Sequence, residues 1–94
     1  MTVKILIKRN VSENNILELT SLLKKLRTLT LNQPGYITGE TLKRIDESNE
    51  CLVVSTWRSV DDWNAWTADP KRIELQSQID SLIGKPTEYA VYEC

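Results

Sequence analysis

The sequence contains no histidine and no phenylalanine. Without imidazole, Ser-His and Cys-His catalysis are excluded, as are the usual general base near neutral pH and the commonest transition-metal ligand. The two cysteines, Cys51 and Cys94, are too few for a disulfide framework and lack Cys-x-x-Cys spacing. They read as free thiols of a reducing compartment. No metal and no bound cofactor is expected. No run of about 18 apolar residues occurs, and no basic stretch leads into an apolar one. Neither a membrane span nor a signal peptide is therefore expected, and the expected location is the cytoplasm. Twelve basic and 13 acidic side chains are interspersed, for a net charge of −1. That balance lacks the basic face that nucleic acid requires. Ninety-four residues support one domain over the whole chain. So short a chain buries a limited share of its surface, and a second copy is the expected supplement to its core.

What the sequence does have is concentrated in one stretch. Trp57, Trp63 and Trp66, all of its tryptophans, fall within ten positions. Up to Trp57 the run Cys51-Leu52-Val53-Val54-Ser55-Thr56-Trp57 has the β-branched, apolar composition of a strand. Ser59 with Asp62 three residues on is a capping-box-like signature that opens a helix. Trp63 and Trp66 are then three apart and project from one helical face. Two indoles beside a third make an apolar wall edged with N–H donors, which is either core or the side of a pocket.

The rest of the chain arranges itself around that stretch. Val3, Ile5 and Ile7 alternate with Lys4, Leu6 and Lys8 in a first strand over residues 2–9. Ser12 is the expected cap of a helix whose stripe is Ile16, Leu19, Leu22, Leu23, Leu26 and Leu29, read as core. Asn32-Gln33-Pro34-Gly35 is a turn, Tyr36 to Ile45 a second strand, and Gly39 marks a bulge or a close backbone approach. Asp46-Glu47-Ser48-Asn49 reads as a hairpin loop before the Cys51–Trp57 strand. Asp69 and Pro70 open a last helix carrying Leu75, Ile79, Leu82 and Ile83, with Gly84 past its end. Glu88 to Glu93 is a closing strand.

The order β-α-β-β-α-α-β predicts an α+β fold of the split βαβ, ferredoxin-like kind: a four-stranded antiparallel sheet with helices on one face. Its other face needs a cover, which a second copy would provide. On the last helix, Arg72 and Gln76 fall on the apolar side by spacing. Burying either costs free energy unless it finds partners. Two readings stay open. Both line a cavity walled by Trp63 and Trp66; or Gln76 bonds a backbone carbonyl at the sheet edge while Arg72 reaches solvent, Asp69 or Glu74.

Trp57-Arg58-Ser59 followed by Trp63-Asn64-Ala65-Trp66, in this order of elements, resembles the antibiotic biosynthesis monooxygenase-like family, and Pro34-Gly35-Tyr36 is similar to its Pro-Gly-aromatic turn. The resemblance covers essentially the whole chain. It implies a dimeric α+β barrel, a homodimer of two ferredoxin-like subunits packed sheet to sheet. Some members oxygenate polycyclic phenols or quinols without metal or flavin, others degrade haem, and some have no demonstrated chemistry. In the haem-degrading branch a strand asparagine, a helix tryptophan and a helix histidine define the site. By resemblance Trp66 falls on the tryptophan position, Gln76 on the histidine position, and Asn10 is the nearest candidate for the asparagine. A glutamine amide is a poor iron ligand, so haem degradation is not implied.

Two functions follow. One is a cofactor-independent monooxygenase on a small phenolic or quinol-type aromatic: Trp63 and Trp66 form the slot, Arg72 stabilises the anion, and Gln76 or Asn10 holds the oxygens. Its catalytic base has no evident residue and falls to a tyrosine, a carboxylate or water. The other is a non-catalytic module on the same dimer that binds a small aromatic ligand.

Overall fold

The computed structural model describes residues 1–47 and 49–94; Ser48, in the expected hairpin loop, lies outside the described residues. Strand β1 (Val3–Asn10) sets the layers. Its side chains alternate, and Val3, Ile5, Ile7 and Arg9 are the buried set. A single 3-10 turn (Glu13–Asn15) leads into α1 (Ile16–Thr30). Strands β2 (Tyr36–Lys43) and β3 (Glu50–Trp57) form a hairpin. Helices α2 (Val60–Thr67) and α3 (Pro70–Ile83) follow, and β4 (Glu88–Glu93) closes the chain.

The sheet order is β2-β3-β1-β4, and every neighbouring pair is antiparallel. Because β3 opposes both β1 and β2, those two run the same way, joined through α1 with β3 inserted between them. Likewise β3 and β4 are joined through α2 and α3, with β1 between. This interleaved pair of split βαβ units is the ferredoxin-like arrangement expected from the sequence.

Local chemistry explains most element ends. Ser59 Oγ accepts from the Asp62 amide at 3.2 Å and donates to the Asp62 carboxylate at 3.0 Å, fixing the start of α2. Asp69 Oδ1 accepts from the amides of Lys71 and Arg72, and Pro70 occupies the position where a missing N–H costs nothing. Gly84 ends α3 at φ 70°, in the left-handed region. Gly35 is likewise left-handed (φ 83°), and its carbonyl accepts from the Arg58 amide at 2.8 Å, tying the first turn to the strand–helix junction.

Other boundaries differ from expectation. Ser12 makes no side-chain cap, and the regular helix begins only at Ile16. Strand β2 stops at Lys43 rather than Ile45. There the Arg44 guanidinium gathers Asp46, Glu47 and Glu50, which turns the chain and leaves Ile45 fully exposed. Near Gly39 the β2–β3 register shifts between Tyr36 and Thr38, and the Tyr36 hydroxyl occupies the space that a Cβ at Gly39 would need.

The core has two parts. Val3, Ile5, Ile7, Trp57, Trp63 and Trp66 form one; Val11, Leu19 and Ile79 form the other, between α1, α3 and the end of β1. At roughly 25 cal/mol per Å² removed from water, the three indoles are the largest side-chain contributors. The stripe of α1 is only partly covered. Leu19 is buried, while Leu22, Leu23, Leu26 and Leu29 are half-buried, because open space lies beneath much of the helix.

Candidate functional site: a cationic, aromatic-walled cavity

That space is a cavity of about 480 Å³ between the sheet and α1. Strand register builds its floor. Ile7 opposes Val53 and Arg9 opposes Cys51, so these side chains share the helix-facing side, with Ser55 and Trp57 further along β3. Leu19, Leu23 and Leu26 of α1 form the roof, and Trp63, Trp66 and Arg72 the end wall.

Four aromatic side chains, Tyr36, Trp57, Trp63 and Tyr89, form a continuous ladder. Tyr36 meets Trp57 edge-on, with ring centroids 5.4 Å apart. Trp57 meets Trp63 at 5.7 Å and Trp63 meets Tyr89 at 5.9 Å, both steeply inclined. These tilted contacts put a positive ring edge against a negative face. Trp57 is wholly enclosed, and its indole N–H donates to Ser55 Oγ at 3.1 Å. Arg72 stands over the rings of both Trp63 and Tyr89, 5.3 and 5.5 Å from their centroids, and donates through Nη2 to Tyr89 Oη at 2.8 Å. Ring faces and a phenol thus hold a buried cation where a carboxylate would ordinarily be found.

Arg9 is the second buried cation, only 2 % exposed. Its Nη2 donates to Gln76 Oε1 at 3.1 Å, while its Nε finds no acceptor among the described residues. Burial depresses its pKa from the ordinary arginine value, and the positive charge of Arg72 acts in the same direction. Gln76 is held in turn: its Nε2 donates to Asp80 Oδ1 at 2.9 Å and to Thr87 Oγ1 at 2.7 Å. Thr87 donates to the same Asp80 oxygen from both its amide and its hydroxyl. Every salt bridge among the described residues belongs to Lys8 or Arg44, so neither buried guanidinium has a carboxylate partner there. Cys51, opposite Arg9, is half-buried; burial pushes its thiol pKa up, partly opposed by the Arg9 charge.

The structure brings Trp63, Trp66 and Arg72 together on the cavity wall. Gln76 sits behind Arg9, bonded to side chains rather than to the backbone carbonyl anticipated as its alternative. Arg72 turns to Tyr89 instead of Asp69 or Glu74. Asn10 falls elsewhere: it follows the buried Arg9 on β1, and alternation sends it to the sheet face away from the helices. Sequence reasoning passes over Arg9 and Tyr89. Arg9 carried a signal, since it continues the Val3, Ile5, Ile7 alternation by one more step into the buried face.

The fold and cavity together define a class: ferredoxin-like α+β domains with an aromatic-walled cavity between sheet and helices. More narrowly, the chain belongs to the antibiotic biosynthesis monooxygenase family, whose model matches residues 2–76, from β1 to Gln76. Solved structures show the same fold. A conserved protein from Methanosarcina mazei Go1 superposes with a TM-score of 0.91 at 17% identity, over 99% of this chain and 92% of that one. SnoaB, a cofactor-independent oxygenase from Streptomyces nogalater, gives 0.87 at 17% identity, over 99% and 92%. Rv0793 from Mycobacterium tuberculosis gives 0.88 at 17% identity, over 100% and 95%. No curated protein sequence matches the chain. Among the described residues no helix is long and apolar enough to cross a membrane, and no cluster of side chains is suited to a metal ion.

Proposed function

We propose that the protein is a cofactor-independent monooxygenase acting on a planar, electron-rich phenol held in this cavity. The observation that carries the reading is the pairing of an aromatic wall, Trp63 and Trp66, with an uncompensated guanidinium, Arg72, at the same end of a cavity large enough for a small-molecule ligand. Membership of the family and the likeness in fold to SnoaB support it.

The chemistry asks little of the protein. Loss of the phenol proton leaves a phenolate that passes an electron to dioxygen, and the resulting radical pair combines at the ring carbon para to the oxygen. Release of water from that hydroperoxide gives a quinone: one oxygen atom enters the product, the other leaves as water, and the substrate supplies all the electrons. The site contributes a flat slot and a positive charge for the phenolate, and Arg72 provides it. Trp63, Trp66 and Arg72 are the proposed ligand contacts.

A non-catalytic aromatic binder is the second reading, and the absence of any histidine favours it, since no side chain here is an evident base near neutral pH. Oxygen uptake separates the two. With a panel of phenols and hydroquinones, turnover that persists with chelator and falls on Trp66→Ala supports the enzyme. Ligand binding without uptake supports the binder.

The assembly we propose is a homodimer. The sheet face away from the helices carries Leu6, Leu52, Val54 and Ala90, half-buried, with Leu42 and Tyr92 well exposed. A second copy packed on this face supplies the cover so small a domain needs. Light scattering at micromolar concentration is expected to give twice the 10.8 kDa chain mass; the chain mass alone rejects the dimer.

A further inference from the structure

We infer that the ligand of this cavity carries a carboxylate, seated on the guanidinium of Arg9, and that Gln76 is the residue positioning Arg9 to receive it. The inference rests on the reading of the cavity as an aromatic-ligand site and specifies the chemistry of that ligand.

Three observations support it. First, Arg9 is a cation shut away from solvent without a carboxylate partner among the described residues, and its Nε–H lacks any acceptor. A buried, unpaired donor on a charged group is costly to keep. A ligand carboxylate supplies the missing acceptor. The edge formed by Nε and Nη2 is the one that pairs with a carboxylate's two oxygens; Nε is enclosed in the free protein, so the Arg9 side chain shifts toward the cavity it lines when the ligand seats. A phenolate, with a single oxygen, meets only one of the two donors.

Second, the charge around the cavity is one-sided. Its lining includes the cations Arg9, Lys24, Arg27, Lys43 and Arg72 against the carboxylates Glu40 and Glu50. Glu50 is engaged by Lys8 and Arg44. A chain whose overall charge is −1 thus surrounds one cavity with an excess of positive charge, with exposed Lys24, Arg27 and Lys43 among its lining to draw in an anion.

Third, the support behind Arg9 is built for it. Gln76 turns its oxygen to Arg9 and its nitrogen to Asp80 and Thr87. Asp80 Oδ1, accepting from Gln76 and Thr87, fixes the amide in the orientation that presents an acceptor to Arg9. A neutral amide holds the guanidinium in place and leaves its charge for the ligand, whereas a carboxylate at that position would neutralise it.

Calorimetric titration of the wild-type protein with a hydroxynaphthoic acid and with its methyl ester tests the inference. The acid is expected to bind at least about tenfold more tightly than the ester, the discrimination of one charge-assisted pair. In Arg9→Gln that preference is expected to disappear, through loss of acid binding and not through gain of ester binding. In Gln76→Glu it is expected to shrink, because the new carboxylate competes for the same guanidinium; a structural role alone would weaken both ligands equally. Equal binding of acid and ester by the wild type overturns the inference, as does failure of both to bind. The ligand comparison within the wild type needs no variant to fold. It is also independent of oxygen uptake: a preference for the acid without turnover overturns the monooxygenase reading and leaves the carboxylate site standing.

Discussion

The Arg9 guanidinium donates to Gln76 Oε1 across 3.1 Å, joining the first strand to the last helix behind the cavity. Replacing Gln76 by leucine removes that acceptor, leaving Arg9 Nη2 without it, and takes one donor from each of Asp80 and Thr87, which still bond each other. The expected loss of unfolding free energy is about 2–4 kcal/mol, since each buried group left unpaired costs about 1–3 kcal/mol. Urea unfolding of Gln76→Leu measures it. A change of less than about 0.5 kcal/mol, the scale of ordinary surface substitutions, would show that the network has no part in stability.

Trp57 is enclosed on all sides and packs against Tyr36 and Trp63. Trp57→Ala is expected to cost about 3–5 kcal/mol, the range for large aromatic truncations in a core. Chemical denaturation followed by circular dichroism gives the value.

Two left-handed glycines are expected to differ. A methyl group at Gly35 would collide with the side chain of Asp62, which also carries the α2 cap, whereas nothing stands near a methyl group at Gly84. Gly84→Ala then costs only the conformational penalty, about 1–2 kcal/mol. Gly35→Ala pays that penalty and the collision, and is expected to be the less stable of the two by thermal melting.

Burial holds the Cys51 thiol above its ordinary value of 9.0, so the folded state favours the protonated form. The stability this represents is fully present below the ordinary value and is lost as pH rises from there through the higher folded-state value, because the unfolded chain ionises first. Urea midpoints are expected to fall from about pH 8 to about pH 10, and to fall less in Cys51→Ala. Thiol labelling of the native protein is expected to reach the exposed Cys94 well before Cys51.

Much of the fold was legible because it rests on local rules. Alternation at Val3, Ile5 and Ile7, the caps at Ser59 and Asp69, and the three-residue spacing of Trp63 and Trp66 each depend on neighbours a few positions away. The site was legible in part for the same reason: Trp63, Trp66 and Arg72 follow one another through α2 into α3. The partner of Gln76 was not, since Arg9 lies on β1 and meets it only after β1 pairs between β3 and β4. Asn10 shows how sharp that dependence is. One step along a strand reverses the face, so Arg9 enters the cavity wall and Asn10 leaves it. Arg44 ended β2 early through carboxylates beyond the strand, which alternation within the strand does not reveal.

The most direct test of the account is a crystal structure of the protein with a hydroxynaphthoate bound. Density for the rings is expected between the α1 leucines and the sheet, bordered by Trp63 and Trp66, with the carboxylate on Arg9. Density at any other place, or a cavity closed by the protein's own side chains, would contradict it.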